Sequence, residues 1–129
     1  MQDYKKLKVW EKAHQLTLLT YQITTGYPKE ETYAFTQQMR RAASSIPMNI
    51  AEGCGRNSNM DTAHFLNIAI GPTNEIDYQY LLSKDMLYIT TKEYETIEPL
   101  IGEIRAMLIA LVTRIRNHTH NSKLITQNS

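Results

Sequence analysis

The chain has 129 residues, with 14 Lys and Arg against 13 Asp and Glu and a formal net charge of +1. That length suits one domain around a single core, and the near-neutral balance excludes the strong overall basic footprint of a dedicated nucleic-acid binder, so any basic surface has to be local. The lone Cys54 excludes an intramolecular disulfide, MQDYKKLKVW has no signal-peptide core, and no apolar run approaches the roughly 20 residues of a membrane span; a soluble, cytoplasmic protein is expected.

The first helix is predicted over residues 5–25. Val9, Ala13, Leu16, Thr20 and Ile23 recur at spacings of four and three, with Trp10 and Tyr21 widening the stripe. Gly26, able to take a left-handed cap, and Pro28 mark its end, and a second helix is expected to follow at once. That helix carries Phe35, Met39, Ala42, Ala43, Ile46 and Ile50 on one face and ends at Gly53 and Gly55. Pro47 interrupts "RRAASSIPMNIAEGCGR", yet Ile46 and Ile50 keep one helical phase across it, which favours a kink over a break at residue 46. Proline removes the bond from its own nitrogen to the Ala43 carbonyl, at about 3 kcal/mol in a regular helix. Ser44 and Ser45 are the expected donors to the freed carbonyls.

A third helix is predicted from Ser58, which with Asp61 resembles a capping box, to about residue 88. Phe65, Leu66, Ala69, Ile76, Tyr80 and Leu87 form one face, while Ile68, Leu82 and Met86 lie nearly opposite. Gly71 and Pro72 are expected to bend it. Thr90 and Glu93 offer a capping box for the fourth helix, whose stripe is Ile97, Ile101, Ile104, Leu108, Leu111 and Ile115, with a kink expected at Pro99. Four amphipathic segments without a strand signal predict an all-α, antiparallel up-down-up-down four-helix bundle with kinked helices. The bundle is assigned to residues 1–118 and a disordered polar tail to 119–129.

EKAH (11–14) and DTAH (61–64) have the carboxylate–histidine spacing of di-metal bundles. Glu11, however, falls outside the core stripe, His14 borders it, and Asp61 suits a first-turn acid, so no metal site is assigned. His118 and His120 read as solvated, and Cys54, at a helix C-terminus that raises a thiol pKa, as an inert turn residue. No nucleophile or phosphate-loop motif occurs. Asn49, Glu52 and Glu75 are candidates for a buried polar network that fixes register or joins subunits; the alternative is solvent exposure, with Arg56 available to Glu52.

"QQMRRAASSIPMNIAEGCGR" strongly resembles the QLRRAAxSIxxNIAEGxxR signature of the 23S rRNA intervening-sequence protein family, small four-helix bundle proteins, some labelled ribosomal protein S23. "LKVWEKAHQLTLLTYQITTGYPKEETY" and "HFLNIAIGPTNEIDYQYLLSKDMLYIT" extend the likeness over about residues 4–116. The chain departs from the family in Pro72, where members usually have Ser after Gly, and in Tyr27, where Phe is common. The resemblance also reaches the accessory variability protein of diversity-generating retroelements, a homopentameric barrel that binds nucleic acid and a reverse transcriptase.

This resemblance implies partner binding rather than catalysis. The expectation is a non-enzymatic, oligomeric module that binds RNA or DNA, with no cofactor, small-molecule substrate or membrane; the alternative is a structural or protein-interaction module without nucleic-acid binding. Candidate phosphate contacts are Lys5, Lys6, Lys8 and Lys12 on the first helix, Arg40 and Arg41 on the second, and Arg105 and Arg116 on the fourth. Because a monomeric bundle buries one face of each helix, the second apolar face of Ile68, Leu82 and Met86 is expected to meet the small-residue strip Gly102, Ala106 and Ala110 of a neighbouring chain. Contact between different surfaces closes a ring, in agreement with a pentamer. In the monomeric alternative, the bend at Gly71 and Pro72 turns both faces into one core.

Overall fold

The computed structural model describes the backbone of residues 2–128 and the side chains of residues 2–118. The side chains of 119–129, where a disordered tail is expected, lie outside the described residues, as does His120. Five α-helices make four rods: α1 (Lys8–Thr24), α2 (Phe35–Cys54), α3 (Asn59–Ile68) continued by α4 (Ile70–Asp85), and α5 (Thr91–Asn128). No strand occurs among the described residues. Each rod packs on two neighbours. α1 lies against α2 and α5, and α3 and α4 complete the ring between α2 and α5.

The predicted stripes make the core. Leu16 of α1, Ile46 and Ile50 of α2, Leu66 and Ile76 of the third rod, and Ile97, Ile104 and Leu108 of α5 are all buried. Each such side chain contributes about 1.5–3 kcal/mol when removed from water, against about 1 kcal/mol for a typical hydrogen bond. Apolar burial therefore drives the assembly, and polar bonds select among its registers.

The helix ends depart from the expectation in places. The first residues form a 3₁₀ turn, Tyr4–Lys6, ahead of α1. A second 3₁₀ turn, Lys29–Glu31, delays α2 until Phe35, because Pro28 sits in extended backbone with ψ of 143°. No glycine takes a positive φ; the left-handed residue is Leu87, φ 64°. It ends α4 in a Schellman arrangement, with Tyr88 N–H donating to the Ser83 carbonyl at 2.8 Å and Leu87 N–H to that of Lys84 at 3.0 Å. This turns Leu87 out of the face assigned to it, and it is 87% exposed. Gly53 matters for steric reasons, since a Cβ there would lie 3.1 Å from both Phe65 Cβ and the Thr62 carbonyl oxygen, and its absence lets α3 approach α2. Thr62 uses that approach to donate its hydroxyl to the Gly53 carbonyl at 2.8 Å.

Neither Pro47 nor Pro99 breaks its helix. The third rod is interrupted at Ala69, one residue beyond the Ile68 carbonyl that Pro72 cannot reach with an N–H. The Thr90–Glu93 capping box is reciprocal, with Thr90 N–H donating to Glu93 Oε1 at 2.9 Å and Glu93 N–H to Thr90 Oγ1 at 3.0 Å. Ser58 accepts from Asp61 N–H at 3.1 Å.

Pro47 leaves the Ala43 carbonyl without its helical donor, in a residue that is fully buried. Ser44 and Ser45 do not repair it: their hydroxyls donate to the carbonyls of Arg41 and Ala42. The donor comes from another helix. Thr17 of α1 shares its one hydroxyl proton between its own Ala13 carbonyl, 2.9 Å away, and that of Ala43, 3.0 Å away. The break in one ladder thus becomes a tie between two rods.

Removing that donor should be costly only while the proline is present. Thr17→Val is expected to destabilise the protein by about 1–3 kcal/mol, the range for a buried acceptor left unpaired. In a Pro47→Ala background, whose restored N–H can serve Ala43, the same substitution should cost clearly less. Denaturant unfolding of the four proteins checks this; equal costs in both backgrounds would separate Thr17 from the proline.

Candidate nucleic-acid and subunit surfaces

The eight candidate cations do not share one face. Lys5, Lys6 and Lys8 are exposed where α1 begins. Arg40 and Arg41 sit near its other end, beside Tyr21 and about 20 Å away at 1.5 Å per residue. Lys12 pairs with Glu103 of α5 at 3.0 Å, and Arg105 is half-buried, with Nε donating to Asn74 Oδ1 at 2.7 Å and Nη2 to Asp77 Oδ2 at 2.5 Å. Both ions tie rods of their own chain together, and only the fold brings their partners within reach. Arg40 lies over the Tyr21 ring at 4.8 Å, with Nε donating to Thr24 Oγ1 at 2.9 Å and Nη2 to the Tyr21 carbonyl at 3.2 Å. Arg41 and Arg116 are exposed. Among the described residues, Lys5, Lys6, Lys8, Arg41 and Arg116 have no ion pair.

The two apolar strips also stay open. Ile68 and Met86 are 39% and 45% exposed, Leu82 is half-buried, and the bend in the third rod does not turn them into the core. On α5, Ala106 and Ala110 are exposed and Gly102 is half-buried with open space where a Cβ would stand. Ile109 adds an exposed aliphatic side chain to this face.

Within one chain, Asn49, Glu52 and Glu75 do not form a buried network. Asn49 donates to the Ser45 carbonyl of its own helix at 2.8 Å, Glu52 pairs with Arg56 on the surface at 2.5 Å, and exposed Glu75 meets only Gln79, at 3.5 Å. Their phase on α2 and α4 points outward. The buried network lies elsewhere, on hydroxyls, of which Thr20 and Tyr80 fall in the predicted core stripes and Thr24, Tyr27 and Ser83 do not. Thr20 donates to the Leu16 carbonyl at 2.8 Å, so the Tyr80 hydroxyl must be the donor in its 2.6 Å contact with Thr20 Oγ1. That bond joins α1 to α4 across the bundle. Thr24 donates to the Thr20 carbonyl at 2.7 Å and accepts from Arg40, which continues the chain to the surface. Tyr27 donates to Ser83 Oγ at 2.7 Å, and Ser83 to the Gln79 carbonyl at 2.8 Å. Burial pushes both phenols up. The legible signals were Thr20 and Tyr80 at core positions of the first and third stripes.

The histidines and the cysteine have structural surroundings. His14 is exposed rather than bordering the core, and stacks on Trp10 at 4.9 Å and 9°; Tyr4 meets Trp10 edge-on at 5.0 Å. Glu11, Asp61 and His64 are exposed, and among the described residues no three His, Cys, Asp or Glu side chains gather around one point. His118 is exposed. Cys54 is buried, and burial first, with nearby Asp3 second, pushes its thiol up.

The architecture is that of a small all-α four-helix bundle with an open surface of cations and rings. The family model for the 23S rRNA-intervening sequence protein matches residues 5–110, and the chain belongs to that family. It is similar to the 1.70 Å crystal structure of a protein with unknown function from the S23 ribosomal protein family of Bacteroides thetaiotaomicron VPI-5482. The TM-score is 0.75 at 28% identity, covering 81% of this chain and 95% of the other. No curated protein matches the chain.

The buried phenols predict the alkaline limit of the fold. The folded state holds the Tyr80 and Tyr27 protons above the ordinary phenol pKa of about 10, where the unfolded chain releases them, so stability should be level below about pH 10 and fall above it. Tyr80→Phe should flatten that fall in denaturant melts followed by circular dichroism. A variant curve parallel to the wild type would remove Tyr80 as its cause.

Proposed function

We propose that this family member is a non-enzymatic, oligomeric nucleic-acid-binding module of the cytoplasm. The observation that carries the reading is the set of exposed cations, Lys5, Lys6, Lys8, Arg41 and Arg116, without acidic partners among the described residues in a chain of net charge +1. Single cations of this kind bind phosphate weakly. Repeated around a ring they act together, and multivalent contact replaces the strong basic footprint that one chain lacks. Lys12 and Arg105 act inside the bundle, and Arg40 is held for a surface role by Thr24 and Tyr21. The open strips of Ile68, Leu82 and Met86 on one side and Gly102, Ala106 and Ala110 on the other support a heterologous ring, with the pentamer of the related retroelement protein as its expected size. Several such apolar side chains approach the few-hundred-Å² patch that marks an interaction site. The second reading, a protein-interaction module without nucleic-acid binding, is favoured by the same strips alone.

Gel shifts on structured RNA should detect binding at about 50 mM salt that weakens steeply as salt rises. Lys5→Ala combined with Lys6→Ala should weaken it on all sequences alike and lower the salt slope by about 1–2. Absence of binding, or binding indifferent to salt, would leave the protein-interaction reading. For assembly, light scattering should give a mass about five times the 14.9 kDa chain, and Ala106→Glu should dissociate it with helical content intact; a mass of one or two chains would end the ring.

A further inference from the structure

The junction of α1 and α2 carries an open groove that neither the core nor the proposed subunit contact uses. Its lower part, about 290 Å³, is walled by Tyr4, Trp10, His14, Pro47 and Met48, and its upper part, about 430 Å³, by Tyr21, Tyr33, Arg40 and Arg41. Ser44 lines both, so the two adjoin. Trp10, His14 and Tyr21 stand on one face of α1 at spacings of four and seven, about 17 Å from Trp10 to Tyr21, and the Tyr4 ring lies 5.0 Å from that of Trp10. Tyr21 is 46% exposed, Tyr33 is 89% exposed, and Met48 on the opposite wall is 65% exposed, whereas Tyr4 and Trp10 are half-buried, Trp10 with His14 stacked on its ring. Cations stand at both ends, with Lys5 over the Tyr4 ring at 5.8 Å and Arg40 over the Tyr21 ring at 4.8 Å, next to exposed Arg41. No acidic side chain is among the residues lining either part.

We infer that this groove binds single-stranded nucleic acid, its rings receiving unpaired bases and Lys5, Arg40 and Arg41 meeting the phosphates. The inference rests on the nucleic-acid-binding reading and adds to it the site and the form of the ligand. Stacking is open to every base because each has a π-face, and a row of rings flanked by cations is the arrangement that uses it. A duplex has its bases stacked on one another and offers the rings nothing. The groove length corresponds to a short single-strand site of roughly 4 nucleotides. Arg40 is fixed in this position: Thr24 and the Tyr21 carbonyl hold its guanidinium over the Tyr21 ring. Pro47 contributes to the apolar wall between Ser44 and Met48.

Trp10 is the chain's only tryptophan, so its emission reports on this groove alone. The full chain is titrated with a fluorescein-labelled single-stranded RNA, the DNA of the same sequence and the corresponding duplex. Anisotropy reads binding anywhere on the protein, and Trp10 emission reads the groove. Single strands should quench Trp10 along the anisotropy curve, and the duplex should bind more weakly without quenching. Tyr33→Ala, at an exposed residue whose loss leaves the core intact, should weaken single-strand binding by about tenfold, within the range for loss of one stacked base, and Trp10→Phe, which keeps a smaller ring, should weaken it by less. Binding by anisotropy with unchanged Trp10 emission and unchanged variants would overturn the groove while leaving nucleic-acid binding in place. Quenching by the duplex equal to that by single strands would overturn the ligand form. No anisotropy change with any probe would end both readings. Trp10 less accessible to iodide in the oligomer than in the dissociated Ala106→Glu chain, without nucleic acid, would assign the groove to a second copy of the chain and overturn the inference.

Discussion

The bond from Thr17 to the Ala43 carbonyl is the constraint around which α1 and α2 are set. A proline inside a buried helix face leaves an acceptor that water cannot reach, and such a group has to find a donor or cost the fold a large share of its stability. Here the donor comes from the neighbouring rod, at a height and rotation that one hydroxyl fixes. Pro99 poses no such demand, since it lies on the exposed side of α5. The same covalent defect is thus a register device in one helix and a surface feature in another, and burial alone makes the difference.

The rest of the core follows the same division of labour. Aliphatic side chains supply the driving force without direction, whereas Thr20, Tyr80, Tyr27 and Ser83 supply direction. The Tyr80–Thr20 bond spans rods that are not neighbours in the ring. One rod cannot slide by a turn without stranding a buried hydroxyl, and this penalty selects one packing among several of similar apolar area. Arg40 continues the chain of polar contacts outward through Thr24, so a surface cation of the α1–α2 groove is oriented from the core.

The surface separates into cations the fold consumes and cations it leaves free. Lys12 and Arg105 are clamps between rods. Of the free cations, Lys5, Lys6 and Lys8 lie where α1 begins and Arg41 near the start of α2, with the aromatic groove between them, and Arg116 lies apart on α5. Apolar strips on the third rod and α5 occupy other faces. A ring built through those strips and a groove left open on α1 and α2 are compatible on one chain, because the two use different sides of the bundle.

The number of rods, their stripes, the α5 capping box and the survival of the helix across Pro47 were legible in the sequence. These depend on contacts within one helix or on a periodicity that any core must satisfy. Family membership was legible too, in the RRAASSIPMNIAEGCGR segment and its flanks, which lie within the residues the family model matches. The donor to Ala43, the partners of Lys12 and Arg105, and the Thr20–Tyr80 bond were not. Asn49, Glu52 and Glu75 looked like network residues because carboxylates and amides advertise polar contacts, while the true network used hydroxyls, of which Thr20 and Tyr80 are hidden in the hydrophobic stripes. Leu87 was placed in the core because its spacing fits α4, but that helix ends at Asp85 and a left-handed turn carries Leu87 into solvent. What each helix must bury is written in its own residues, because the stripe is a local periodicity. Which polar groups meet is settled only in the assembled bundle, because their partners lie tens of residues away and a shift of one turn pairs them differently.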